Sequence, residues 1–287
     1  MRNRPMVLIS AVLIVAACSS GTPAGSATTY VLNGSPLPQY AAPAKGLLAD
    51  IKGRGVIFNG VNAANPPFES VDANGEIVGY DIDLTEAFAT YLGVHLSTVD
   101  TAWAGVIPSL YSKKFDMIWS AMSITTARKE AVSFSSPYAA DQAIWITAAS
   151  NTSVSTFEDL NGKKLCTQLN SAFESQAKEI IASKGLQIEI KSFDDFPTAY
   201  LALESGQCDA ATSSTLNNLP LNESKPGVFR NAIVLDTANY VGIATRKPDT
   251  DLAGEIQKFL DEIKGNGKLN ELQVKWFGSE MTLPASN

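Results

Sequence analysis

Histidine is almost missing from this chain and cysteine is scarce. His95 is the single histidine, on a stretch read as a strand, and the three cysteines are Cys18, Cys166 and Cys208. With no Cys, His or acid cluster around His95, neither a metal centre nor histidine-based catalysis has candidate residues. No P-loop, glycine-rich dinucleotide turn or Gly-x-Ser-x-Gly elbow occurs, so no cofactor is implied. Basic residues are the minority, 22 Lys and Arg against 29 Asp and Glu, for a net charge of −7. Such a balance repels nucleic acid and anionic membrane surfaces and argues against both as partners. Long apolar runs are absent too: past the first residues nothing approaches the about 20 residues that span a bilayer.

What is present begins with an export signal. Arg2 and Arg4 precede an apolar run from Met6 to Ala17, broken only by Ser10. That run is too short for a permanent membrane helix and suits the core of a signal peptide, residues 1–17. It ends in Val15-Ala16-Ala17-Cys18, which resembles the lipobox of bacterial lipoproteins. The resemblance implies cleavage before Cys18 and a lipid on its sulfur, holding the protein outside the cytoplasm on the cell membrane. An ordinary signal peptide ending beside a cysteine is the alternative. Residues 18–45, rich in small residues and proline, read as a flexible tether with too little apolar area to fold.

The rest, about 240 residues, is large for one domain and comfortable for two lobes. Strands are expected at Val56–Phe58, Val94–Val99 and Phe115–Ser120, alternating with helices carrying Leu84, Ala87, Phe88 and Tyr91, then Val106, Ile107, Leu110 and Tyr111. The pattern restarts after Tyr138. Strands at Lys164–Gln168, Leu186–Lys191 and Cys208–Ser213 alternate with helices at Ser171–Lys184, opened by a capping box, and about Phe196–Ser205. Two βαβαβ units imply an α/β protein whose ligand sits where the carboxyl ends of two sheets face each other. Helices near Thr250–Lys264 and Lys268–Phe277 close the chain.

A series of short motifs sharpens this. Pro66-Pro67-Phe68-Glu69, Gly79-Tyr80-Asp81-Ile82-Asp83-Leu84, Val106-Ile107-Pro108-Ser109-Leu110, Met122-Ser123-Ile124-Thr125 with Arg128, and Phe134-Ser135-Ser136-Pro137-Tyr138 come in order. Leu160-Asn161-Gly162-Lys163-Lys164, Gly206-Gln207-Cys208-Asp209-Ala210 and Lys275-Trp276-Phe277-Gly278 follow. In order and spacing they resemble the extracellular solute-binding proteins that serve ABC importers of polar amino acids. The resemblance implies a type II periplasmic-binding-protein fold and a monomer that closes on a small polar, amino-acid-like ligand and delivers it to a membrane permease. Lobe 1 would comprise 46–141 and 240–287 and lobe 2 142–239, with hinge crossovers near 142–147 and 236–241.

Site residues follow by the same resemblance. Arg128 is implied as the fork that holds a ligand carboxylate, a task for which a guanidinium is suited. From the residues alone it would read as an exposed helix arginine beside Lys129 and Glu130. Ser120, Ala121 and Ser123 would meet the ligand's polar head, although serines in such turns also serve as caps. Trp103 and Asn65 are implied as walls, and Gln168, Ser171 and Ala172 as the turn that meets the carboxylate at a helix start. Ser171 could equally cap its own helix. Ser214 stands where relatives carry an Asp that pairs with the ligand's α-ammonium. Either another acid substitutes, or the ligand lacks a primary α-amine, as opine-like conjugates and compatible solutes do.

Cys166 and Cys208 fall at the starts of two strands that this fold would make neighbours. An even pair in an exported protein suggests a disulfide; two buried thiols are the alternative. Transport is not the sole reading. A dehydratase on the same fold would need a positioned acid, for which Asp141 or Glu69 could serve, and a sensor could present its solute to a receptor.

Overall fold

The computed structural model describes residues 28–284, so the signal segment and Cys18 lie outside the described residues. The described chain opens with a small hairpin, β1 (Val31–Leu32) and β2 (Ser35–Pro36), then α1 (Leu47–Arg54) and β3 (Val56–Val61). A three-stranded meander follows: β4 (Ala64–Asn65), β5 (Glu69–Val71) and β6 (Ile77–Val78). Next come α2 (Tyr80–Leu92), β7 (His95–Asp100), α3 (Val106–Tyr111), β8 (Met117–Ile118), α4 (Thr126–Ala131) and β9 (Val132–Phe134). The chain then crosses to a second sheet through β10 (Ala139–Ala148), β11 (Lys164–Gln168), α5 (Ala172–Lys184), β12 (Glu189–Phe193), α6 (Phe196–Glu204), β13 (Ala210–Ser214), α7 (Asn218–Ser224) and β14 (Phe229–Val241). It returns in β15 (Ala244–Arg246) and ends in α8 (Thr250–Gly265) and α9 (Lys268–Phe277).

The two five-stranded sheets have one topology. The order is β7-β3-β8-β15-β9 in lobe 1 and β12-β11-β13-β10-β14 in lobe 2. In each, three parallel strands carry the helical crossovers, a fourth runs antiparallel to them, and the fifth pairs antiparallel with the fourth. This is the α/β, two-lobed architecture of type II binding proteins. β10 and β14 pair along their length, from Ala139 opposite Val241 to Ala148 opposite Phe229, with a register shift between Gln142 and Ile144. At their lobe-1 end Ser123 bridges to Val241, tying the crossover to the loop after β8.

Each lobe buries its own core. Phe88 of α2 packs on Phe259 of α8 and on Trp119 in lobe 1, and Trp145 packs edge-on against Phe157 in lobe 2. The expected third strand, Phe115–Ser120, shrinks to Met117–Ile118. Asn59 explains this: its Oδ1 accepts from Trp119 N at 2.8 Å and its Nδ2 donates to Trp119 O at 3.1 Å, so a side chain replaces the ladder. The strand expected from Leu186 starts at Glu189, because Gly185 adopts φ 64° and Leu186 N still bonds back to Ile181 O. Both ends of that helix termination satisfy otherwise orphaned carbonyls.

The described part of the expected tether departs from expectation. Residues 30–45 pack on lobe 1, with Leu37 and Tyr40 buried among Ile107, Tyr111 and Phe115. Tyr40 donates its hydroxyl to Asp249 at 2.5 Å, and Asp249 pairs with the buried Arg246. A few well-spaced large side chains in a tract of small ones suffice for docking, which its average composition conceals. Cys166 and Cys208 are joined, with Cα atoms 5.8 Å apart, bracing β11 against the entry to β13. Among the described residues no helix is long and apolar enough to cross a membrane.

Candidate ligand-binding cleft

The carboxyl ends of β3 and β8 in lobe 1 face those of β11 and β13 in lobe 2. In lobe 1 the turn after β8 supplies Ser120, Ala121 and Ser123, and Thr125 caps α4 by accepting from Arg128 N. Ala121 sits at φ 43°, in the left-handed region that disfavours a residue with a Cβ. Its N–H is nonetheless fixed, donating to Asp81 Oδ2 at 2.6 Å. In lobe 2, Gln168 ends β11 and Ser171 caps α5, accepting from Glu174 N at 3.0 Å. The expected capping box is half formed. Glu174 reaches past Ser171 to accept from Asn170 N at 2.7 Å and from Ser192 Oγ at 2.6 Å.

Arg128 is buried, 8% exposed. It donates to the Ser123 carbonyl at 3.0 Å and to the Asn170 carbonyl at 3.2 Å, with its guanidinium 5.1 Å from the Trp103 ring centre. No described carboxylate pairs with it, although Glu130 and Glu179 line the same space, and burial pulls its pKa down to about 10. A buried cation facing only carbonyl oxygens is costly, and an anion entering the cleft relieves that cost.

The lobes are closed. Gln168 Nε2 donates to Asn62 Oδ1 at 2.9 Å, and Asn217 Nδ2 donates to Asn65 Oδ1 at 2.6 Å and to the Pro66 carbonyl at 2.9 Å. Trp103 Nε1 adds a bond to the Asn170 carbonyl at 3.2 Å. These bridges leave an inner chamber of about 30 Å³, whose wall includes Asn65, Ser120, Ala121, Ser123, Gln168, Ser171 and Ala172. A larger space of about 630 Å³ lies outward, where Trp103, Arg128, Ser171 and Ala172 are joined by Leu32 and Asn33 of the N-terminal hairpin. Nine of the ten residues expected at the cleft therefore share these two walls.

Ser214 does not. Its hydroxyl turns back into lobe 2, donating to Asn217 Oδ1 at 2.6 Å and accepting from Asn217 N at 3.0 Å. Two acids, Glu69 and Asp141, line the inner chamber; Asp141, of β10, is 7% exposed. Its Oδ1 accepts from Gln142 N at 2.7 Å, Thr215 Oγ1 at 2.8 Å and Leu216 N at 3.1 Å. Burial is the first cause that raises its pKa; hydrogen bonds from Thr215 and from the Leu216 and Gln142 N–H groups act against it, and no cation contributes. Asn62, Asn217, Asn239, Phe173 and Phe196 also line the inner chamber and were not expected there. Asn62 lies just beyond β3, at a carboxyl edge, and that placement alone could have marked it.

The sequence matches the bacterial extracellular solute-binding proteins, family 3, over residues 57–279. It is 29% identical to the L-cystine-binding protein of Escherichia coli over 240 residues, 83% of this chain and 88% of that one. It is 30% identical to the ABC transporter arginine-binding protein 1 of the same organism, covering 76% and 89%. Among solved structures, an ancestral arginine-binding protein bound to arginine superposes with a TM-score of 0.74 at 35% identity, covering 78% and 99%. An ancestral amino acid-binding protein described as a precursor of cyclohexadienyl dehydratase gives 0.73 at 34% identity, covering 80% and 99%. This chain belongs to the bacterial extracellular solute-binding proteins of family 3.

Proposed function

We propose that the protein binds an L-α-amino acid as its zwitterion, without turnover, and presents it to an ABC importer. One observation carries this reading: the same cleft holds a buried guanidinium with no carboxylate, Arg128, and a buried carboxylate with no cation, Asp141. A ligand bearing both charges compensates both groups at once. The carboxylate lies between Arg128 and the start of α5, where Ala172 opens the helix and its N–H groups favour an anion. Ser120, Ala121 and Ser123 contact the polar head, and Trp103, Asn65 and Gln168 bound the side chain. The α-ammonium meets Asp141, which takes the part that Ser214 is too short and wrongly turned to play.

On this reading the ligand keeps an ordinary primary α-amine. The relatives' cystine and arginine make both amino acids suitable probes. Residues 142–239 close against the remainder by bending at the β10 and β14 crossovers, and the ligand favours closure because it touches both lobes. Cys18, lipidated, tethers a monomer to the outer face of the membrane.

A thermal-shift panel of L-amino acids on the chain lacking residues 1–27 tests the reading. A ligand at a hundredfold excess over its Kd raises stability by about 2.7 kcal/mol. No shift with any L-amino acid, alongside shifts with betaines or N-substituted amino acids, contradicts it.

A further inference from the structure

At the ligand-facing turn lies a pair of acids to which that function assigns no part, one of which, Glu69, also lines the inner chamber. Glu69 opens β5 and Asp81 stands in the first turn of α2; both are fully buried. Glu69 Oε1 accepts from Ser120 Oγ at 2.8 Å and from Asn65 Nδ2 at 3.3 Å. Asp81 Oδ2 accepts from Ala121 N at 2.6 Å and from Tyr138 Oη at 2.8 Å. The other oxygen of each carboxyl, Glu69 Oε2 and Asp81 Oδ1, is buried with no donor. The Asp81 charge bears directly on Glu69; two such carboxylates cannot both stay ionised out of water, but one proton between them satisfies both orphaned oxygens.

We infer that Glu69 and Asp81 share a single proton and together act as a positioning pair for Ser120 and Ala121. This rests on the reading that the turn after β8 meets the ligand. The proton resides on Glu69 and the charge on Asp81. Burial raises the Asp81 pKa to about 7, and hydrogen bonds from Tyr138, the Ala121 N–H and Glu69, together with its place at a helix N-terminus, oppose that rise and favour the anion. Glu69, by contrast, is raised well above an ordinary carboxyl by burial and then by the Asp81 charge. The groups facing the pair are Tyr80 of α2, Tyr138 before β10, Ser120 after β8 and Asn65 of β4, and no cation contributes to either acid. So positioned, Asp81 holds the Ala121 N–H in its left-handed conformation while Glu69 holds the Ser120 hydroxyl.

The packing that brings the two together leaves little room. Tyr80 N and Asp81 N donate to the Pro67 and Phe68 carbonyls at 3.0 Å, and a Cβ at Gly79 would overlap the Phe68 carbonyl. Loss of the shared proton puts two like charges in one dry site, and the turn is released.

Glu69→Gln separates this account from a merely structural role, because its amide donates to Asp81 permanently and still accepts from Ser120. Affinity for L-arginine or L-cystine, whichever binds, is measured with the ligand-free melting temperature from pH 5 to 9. A folded-state pKa raised above the ordinary 4.5 means that the stability held below 4.5 is lost as pH rises toward the folded value. Wild type is therefore expected to lose melting temperature across this range, and about tenfold or more in affinity at its alkaline end. E69Q is expected to lose less melting temperature than wild type across the range, the slope that remains coming from the buried Asp81 and Asp141, and still to bind at pH 6. Equal slopes in the two proteins, or an E69Q protein that fails to bind at pH 6 where wild type binds, overturn the inference. The melting profiles remain decisive if no amino acid binds at all, so the two readings fail separately.

Discussion

Arg128 of lobe 1 donates Nη2 to the backbone carbonyl of Asn170 in lobe 2, 3.2 Å away across the cleft. Asn170 is itself in the left-handed region, at φ 58°, which turns its carbonyl toward the opposite lobe. Trp103 bonds the same oxygen and lies alongside the guanidinium. The cation is thus aimed by two carbonyls and an aromatic ring, none of which neutralises it. A carboxylate arriving between Arg128 and the start of α5 replaces a weak partner with a charged one.

Arg128→Ala is expected to weaken amino-acid binding by about 3–5 kcal/mol, the cost of losing one partner of a buried charge pair. Arg128→Lys should recover only part of this, because an ammonium cannot offer the planar fork. Titration calorimetry on both variants checks it. Relief of the buried charge should leave the ligand-free R128A protein at least as stable as wild type, read by urea unfolding.

Asp141→Asn should lower affinity for any ligand with an α-ammonium by about 2 kcal/mol or more, with little change in fold, since an amide keeps one acceptor for Thr215 and Leu216. The pH dependence has a definite sign. Burial raises the Asp141 pKa in the empty cleft, and an ammonium beside it lowers that pKa again. Binding must therefore release protons, and affinity must fall as pH drops through the raised value. Calorimetry in buffers of differing ionisation enthalpy measures that release directly, and D141N should abolish it.

The cross-lobe amides Gln168–Asn62 and Asn217–Asn65 act as latches, each contributing about 1 kcal/mol to closure. Asn217→Ala should shift the ligand-free population toward open forms and enlarge the radius of gyration by small-angle scattering. Saturating ligand should restore the compact value. An unchanged ligand-free radius contradicts the latch.

The Cys166–Cys208 bond closes a sequence separation of 42 residues within lobe 2. The chain-entropy account assigns such a loop about 4 kcal/mol. Cys166→Ala paired with Cys208→Ala should lower the urea midpoint of unfolding, with lobe 2 affected first in hydrogen exchange. A midpoint unchanged from wild type contradicts this.

Much of the architecture is legible in the residues, and the exceptions have physical causes. Alternating β and α patterns survive translation into structure because each parallel strand is followed by an amphipathic helix, as in Lys164–Gln168 and Ala172–Lys184. The crossover strands β10 and β14 fall outside that alternation. Their identity depends on pairings up to about a hundred residues away, such as Ala139 with Val241. The short meander around Asn65 and Glu69 is held by turns rather than by periodicity. In the cleft, Arg128 is marked by the motif that precedes it. Asp141 is marked only as an acid that an enzyme on this fold could use, not as a partner for a ligand's ammonium, because it reaches the wall only through the register of β10 against β13, which sets Ala143 opposite Ser214. The docking of Tyr40 is hidden in the same way, since Asp249 lies 209 residues further along the chain.

The central claim is that one ligand compensates Arg128 and Asp141 together. Titration calorimetry with L-arginine, its C-terminal amide and its Nα-acetyl derivative, repeated for the corresponding L-cystine compounds, tests it most directly. The account predicts tight binding of one free amino acid and a loss of about a hundredfold or more for each of its blocked forms, roughly 2.7 kcal/mol apiece. An Nα-acetyl derivative that binds as tightly as the free amino acid would contradict it.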